Sequence, residues 1–226
     1  MAKYSIGVDY GSLSGRAVLV NVETGEEICS SVLEYPHAVM SETLPDGTPL
    51  GVDWALQHPQ DYLDVLSHTI PDVLKQSGVS PDDVVGVGID FTACTALPVT
   101  KDGTPLCFLD EFKSNPHAYV KMWKHHAAQK YAKMLNAKAR YGGKISSEWY
   151  VPKIWQICEE APEVYDTMAY FVEAADWIPW MLTGNYTRNS CTAGYKAMWS
   201  KKEGYPSKEF FKALNPKLEN MVDEKI

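Results

Sequence analysis

The residues nearest to chemistry stand close to the start of the chain, in GVDYGSLSGRAVLV at 7–20. Asp9 ends an apolar run, Gly11, Ser12, Leu13 and Ser14 make a turn, and Arg16 opens the next apolar run. A strand-end carboxylate such as Asp9 can hold Mg²⁺, usually through water, because that ion keeps much of its hydration. The amides of Gly11, Ser12 and Leu13 can form a concave nest for anionic oxygens. The hydroxyls of Ser12 and Ser14 add donors, and Arg16 adds a full positive charge. Together these parts make a phosphate and metal site. The same residues also suit an ordinary hairpin with a polar tip.

Such a tip needs a sheet behind it. Residues 4–8, 16–22 and 28–35 read as strands, joined at Gly11 and at ETGEE (23–27), and tight turns between consecutive strands make them antiparallel. After a polar loop with Pro45, Gly47 and Pro49, the spacing of Tyr62, Val65, Leu66, Ile70, Val73 and Leu74 predicts a helix over 59–76. SGVSPDD stops that helix, and VVGVGID at 84–90 reads as a buried strand. Residues 97–100 and 105–108 flank Lys101-Asp102-Gly103, a hairpin signal. From Pro116 onward, aromatic-rich helices are predicted at 117–139, 152–160 and 173–183. The reading is one α/β domain over 1–226: a mixed sheet opened by a three-strand antiparallel meander, with a helical half packed behind it.

Composition narrows the partners. A formal charge of −8 argues against nucleic acid or an anionic membrane, since both call for basic surface. Hydrophobic content of 45% and charged content of 22% are those of a soluble globular protein. No apolar run is long enough to span a bilayer and no signal peptide is evident, so a cytoplasmic location is expected. Cys29, Cys94, Cys107, Cys158 and Cys191 are scattered without a CxxC pair, which suits reduced, mostly buried thiols and gives no structural zinc.

The tip GVDYGSLSGRAVL resembles the first phosphate motif of the actin, heat-shock chaperone and sugar kinase superfamily, whose core is ribonuclease H-like. Later segments narrow the resemblance to the FGGY carbohydrate kinases. VVGVGIDFTACTALPV resembles their second core strand and the sugar-pocket loop after it, and NPHAYVKMWKHHAAQ their Trp-centred substrate segment. RYGGKISSEWYVPKIWQI is similar to their apolar-Pro-Lys helix start, and EAADWIPWMLTGNYTRNSCTAGYKAMW to their Asp-Trp, Leu-Thr-Gly, Asn-small-small pattern. Within that family the combination of VDYGS, DFTACT, WKHH, GGKISSEW and CTAGYKAMW is similar to the members that act on L-ribulose.

Each polar feature has two readings. Lys196 lies in AGYKAMW, where a lysine commonly snorkels to solvent; the resemblance implies instead that it reaches a sugar hydroxyl. Ala96 either leaves room for substrate beside accessible main chain or is simply a small turn residue. Glu148 and Trp149 follow Ser146 and Ser147, which suit helix capping, while the Trp and carboxylate also suit a sugar face and its hydroxyls. His125 and His126 are adjacent, so on a helix they point about 100° apart and cannot share a metal. His125 is expected to touch substrate and His126 to lie on the surface. Trp123 is expected in the core with one edge on the pocket. Asp90 is expected to be structural, and Trp177 and Trp180 to pack in the core.

The resemblance implies ATP with Mg²⁺ as co-substrate and a ketopentose, L-ribulose or a relative, phosphorylated on its terminal hydroxyl. It further implies a homo-oligomer for the full-length enzyme. A carboxylate base on a later Gly-Asp segment and the adenosine-binding motifs are expected beyond residue 226, so the chain alone is expected to be inactive. The connector between MLNAKA and RYGGK is expected to be shortened. The alternatives are another pentulose or pentitol kinase of the family, a ribonuclease H-like nuclease built on Asp9 and Asp90, and a non-catalytic sugar-binding module. The nuclease would need a basic surface that this acidic chain lacks.

Overall fold

The computed structural model describes residues 2–138 and 144–226. In chain order the elements begin with strands β1 (Tyr4–Tyr10), β2 (Ser14–Asn21), β3 (Glu27–Glu34) and β4 (Leu56–Gln57), then helix α1 (Pro59–Ser77). They continue with β5 (Val84–Phe91), β6 (Ala96–Val99), β7 (Val120–Lys121), α2 (Gln129–Lys138), α3 (Tyr150–Glu160) and α4 (Pro162–Thr167). Last come β8 (Tyr170–Glu173), α5 (Ala174–Thr183), α6 (Ser190–Lys196), α7 (Lys208–Leu214) and α8 (Met221–Lys225). They group into two compact units, Met1–Val39 with His58–Thr92, and Met40–Gln57 with Ala93–Ile226. The connector of the sequence reading falls at 139–143, outside the described residues.

The first unit is a four-stranded sheet in the order β3-β2-β1-β5. The meander is antiparallel, while β5 runs parallel to β1. Period-2 alternation sends Ile6, Val8, Tyr10, Ala17 and Leu19 into the core. There α1 covers β2 and β3 with Tyr62, Val65, Thr69 and Val73. Gly15 permits that approach, because a Cβ on it would lie 2.6 Å from a Val65 methyl. The helix stops at Gly78, which is left-handed (φ 68°) and returns its N–H to the Leu74 carbonyl. Its start is capped by His58, whose Nδ1 accepts from the Gln60 N–H at 3.2 Å. Beside the cap, His37 Nδ1 meets the buried Asp61 carboxylate at 2.6 Å and stacks on His58 at 4.2 Å between ring centroids, 16° from parallel. The hydrogen bond and the stack tie His37, His58 and Asp61 together at the start of α1. β5 corrects the reading of 84–90 as a buried strand. It is the outer strand of the sheet, and Val85 and Val87 are exposed.

The second unit is more than the helical half expected, because it has its own sheet in the order β4-β7-β6-β8. Its strands are two to four residues long, too short for periodicity to reveal. The helix expected over 117–139 is present only as α2. Ahead of it, Asn115 caps a 3₁₀ turn at Pro116–Ala118 and the chain then enters β7. The second arm of the hairpin expected at 105–108 is a 3₁₀ turn joined to β6 by a single bridge, Val99 to Pro105. Residue 173 ends β8, and the helix expected from there starts one residue later. α3 is buried on nearly every side, from Tyr150 to Cys158, as a helix at the centre of a core must be. Its Trp155 meets Tyr131 at 5.6 Å between ring centroids, Phe211 belongs to the same core, and Trp177 and Trp180 are buried as the sequence suggests. Cys94, Cys107 and Cys158 are buried, Cys29 is half-buried and donates to the Val73 carbonyl, and Cys191 is exposed. No helix among the described residues is long and apolar enough to cross a membrane.

Candidate functional site

The hairpin tip forms as its sequence suggests. Asp9 and Arg16 face each other across β1 and β2, with Arg16 Nε 3.8 Å from Asp9 Oδ2 and both side chains half exposed. The Gly11 N–H closes the turn on the Ser14 carbonyl at 2.9 Å, so it is not a donor to the nest as expected. The tip is tied down by Tyr35, whose N–H donates to the Leu13 carbonyl at 2.9 Å and whose hydroxyl donates to the Gly11 carbonyl at 3.1 Å. Leu13 itself is exposed. Parallel pairing sets Asp90 directly beside Asp9. Gly7, Asp9, Arg16, Val18, Gly88 and Asp90 line a shallow cavity of about 360 Å³. Two glycines there leave the strand backbones bare, and two carboxylates and a guanidinium stand at the rim. Asp90, which the sequence reading left as structural, belongs with Asp9. Its Oδ1 also accepts from the Phe91 N–H at 2.9 Å.

In the second unit, Lys196 ends α6 and its Nζ lies 2.8 Å from Glu148 Oε2, both largely shielded from solvent. Burial alone would push this ammonium's pKa down. The hydrogen bond and charge of Glu148 outweigh that and hold it above the usual lysine value. The helix is aimed from its start: Asn189 caps it by accepting from the Thr192 N–H, and Asp176 Oδ1 accepts from both the Asn189 N–H and its side-chain amide. Trp149 is the N-cap residue of α3 without a side-chain cap bond, and it lines a cavity of about 580 Å³ with Gly194, Met198, Trp199 and Tyr205. The serines do not cap that helix. Ser146 instead closes a turn by accepting from the Glu148 N–H, and Ser147 Oγ pairs with His126 Nδ1 at 3.0 Å.

Other assignments change. Trp123 is exposed rather than in the core. His125 is fully buried and cannot meet a ligand at the surface. Its Nδ1 accepts from the Ala55 N–H at 3.3 Å and its Nε2 pairs with Gln156 Oε1 at 3.0 Å. It is a satisfied core histidine, kept neutral because burial pushes its pKa well down. Neither histidine is on a helix, and exposed His126 is the surface one. Ala96 is not a turn residue but the first residue of β6, fully buried between Lys121 and Glu173.

What the sequence reading missed is a buried polar layer around Ala96. Lys121, Lys153 and Glu173 are all fully buried. Lys153 Nζ donates to the carbonyls of Cys94, of Met122 at 2.9 Å and of Lys121 at 3.4 Å. Burial pushes its pKa down, against the pull of Cys94 and Glu173. Burial likewise pushes Glu173 up, opposed by the charges of Arg188 and Lys153. Lys121 Nζ sits 4.3 Å over the Trp54 ring. The signal was available in part: both lysines stand in apolar-aromatic runs, AYVKMW and WYVPKIW.

The sequence model of the FGGY family of carbohydrate kinases, N-terminal domain, matches residues 4–223. A curated ribulokinase of Geobacillus thermodenitrificans is 57% identical over 99% of the chain, and one of Bacillus licheniformis 58% identical over 95%. A ribulokinase of Mycolicibacterium smegmatis is 52% identical over 99%. The chain spans 41–42% of these relatives' own length. Among solved structures, a xylulose kinase from Lactobacillus acidophilus matches with a TM-score of 0.73 at 17% identity, over 94% of this chain and 40% of its own. A gluconate kinase from the same organism matches with a TM-score of 0.73 at 16% identity, over 95% of this chain and 40% of its own. At such identities the likeness is one of fold alone.

Proposed function

The chain belongs to the FGGY family of carbohydrate kinases, and from that premise we propose that it is the phosphate- and sugar-binding part of a kinase that phosphorylates L-ribulose with ATP. The observation that carries the proposal is identity of 57% over 99% of the chain to a ribulokinase, against 17% to a xylulose kinase of the same fold. The site chemistry agrees. Asp9 and Asp90 offer hard oxygen ligands side by side, the donor type that fits Mg²⁺. When bound, that ion offsets charge on the ATP phosphates. Arg16 and the tip serve the same phosphates. Lys196, oriented by Glu148, donates to a sugar hydroxyl, and exposed Trp123 and half-buried Trp149 offer faces to the sugar. The terminal hydroxyl oxygen then forms its bond to the γ-phosphorus as the bond to the β–γ bridging oxygen breaks, and its proton passes to a carboxylate base. Positioning and charge stabilisation supply most of such a rate. The nuclease alternative keeps only the carboxylate pair in its favour, with neither a basic surface nor the family match.

The test is steady-state kinetics of the whole enzyme with L-ribulose, D-xylulose and pentitols, with the product identified by NMR. The expected result is L-ribulose 5-phosphate formed with the highest kcat/KM. Preference for another acceptor, or no phosphorylation of L-ribulose, would overturn the assignment.

A further inference from the structure

We propose that Lys153 is a positioning residue for the sugar site, clamping the main chain at Cys94 and Met122 and so fixing the start of β6 and the segment that carries exposed Trp123. The proposal rests on the sugar-site reading above. Cys94 has a φ of 64°, in the left-handed region that a side chain with a Cβ rarely adopts. It is neither glycine nor asparagine, and its side chain is buried, so the conformation has to be held by surrounding structure. The group that holds its carbonyl is the Lys153 ammonium, reaching in from the first turn of α3.

That ammonium has three protons to donate and accepts nothing. Its acceptors are the carbonyls of Cys94, Met122 and Lys121, and all of them are main-chain atoms. A fully buried lysine that spends its donors on two separate loops is poorly explained as a snorkelling side chain. Its geometry ties the turn before β6 to the end of β7. Cys94 lies two residues before Ala96, and Met122 directly precedes exposed Trp123. The charges of Glu173, Lys196 and Glu148 act on Lys153, so the clamp lies within electrostatic reach of the candidate sugar contacts. Without the ammonium, Cys94 loses the partner of its carbonyl and relaxes toward the right-handed region, carrying Thr95 and Ala96 with it.

The test is a double-mutant cycle in the whole enzyme between Lys153→Met, which keeps side-chain length but removes the donors, and Cys94→Gly, which adopts positive φ without strain. With L-ribulose and ATP, Lys153→Met should raise the sugar KM about tenfold or more and leave the ATP KM within about twofold. In the Cys94→Gly background the same substitution should cost less than about threefold. Additive effects, or equal changes in both KM values, would overturn the clamp. If Lys153→Met alone does not fold, folding of the double variant supports the clamp and its failure overturns it. If the wild-type enzyme phosphorylates no ketopentose, the functional reading falls by itself. Urea unfolding of the same four proteins then decides the clamp, non-additive stabilities supporting it and additive ones overturning it.

Discussion

On the proposed reading Asp9 serves the phosphates and Lys196 the sugar, and single substitutions should separate them. In the whole enzyme, Asp9→Ala should lower turnover by about 10²-fold or more while the sugar KM barely moves, because the carboxylate serves the phosphates. Unchanged turnover at saturating Mg²⁺ would remove Asp9 from the mechanism. Lys196→Ala should lower kcat/KM for L-ribulose by about one to two decades, the loss of about 1–3 kcal/mol expected when a shielded polar group loses its partner, with ATP use little changed. Unaltered sugar kinetics would leave Lys196 as a partner of Glu148 and nothing more. The hairpin's geometry was legible because its residues lie within one continuous stretch, and even the Asp9–Arg16 pairing follows from the turn. Lys153 and His125 were not. Their partners Cys94 and Gln156 lie 59 and 31 residues away, and local sequence carries no trace of such partners.

At the scale of elements, α1 should make part of the stability pH-dependent. Its cap requires a neutral His58, and burial, with His37 beside it, lowers that ring's pKa from 6.5 to about 4. An unfolded chain binds this proton near 6.5 and the folded one only near 4, so stability is present above that window and is lost as pH falls through it. Asp61 acts in the opposite sense, since burial raises its pKa and favours its protonated form in the fold. Substituting His58→Asn, a good cap that does not titrate, should flatten thermal melting between pH 7 and 5 relative to wild type. The difference should be on the order of 1 kcal/mol at pH 5 once the solvent reaching the ring is allowed for. Parallel melting curves would exclude His58 as the acid-sensitive group. The elements of this unit were readable because strand period, helical spacing and Gly78 agree locally. In the second unit, strands of two and four residues depend on pairing across long separations, and an aromatic-rich composition was mistaken for a continuous helix over 117–139.

For the molecule as a whole, family membership was legible in the combination of motifs, since each segment alone is shared by many proteins. The chain corresponds to 41% of the length of the ribulokinase of Geobacillus thermodenitrificans. On the proposed reading, the catalytic base and the adenosine contacts belong to the rest of the enzyme. We therefore expect purified 1–226 to give no sugar-dependent ADP release with L-ribulose, ATP and Mg²⁺. A missing general base typically costs about 10²–10⁴ in rate, and nucleotide positioning is lost with it. Turnover at a normal kinase rate would put the base inside these residues and overturn the assignment.

The cysteines offer an unengineered reporter. Burial pushes the thiols of Cys94 and Cys158 up to about 12 and 11 and raises Cys107 further, while Cys29 is half-buried and hydrogen-bonded. Thiolate is the reactive form, so these should label slowly. Cys191 alone is exposed, and it sits on the helix that ends in Lys196. A stoichiometric maleimide dye should mark that helix selectively in the native protein, with the other thiols appearing only after denaturation. Mass spectrometry of the labelled peptides would verify the site, and the dye's emission would then follow sugar titrations without any mutation.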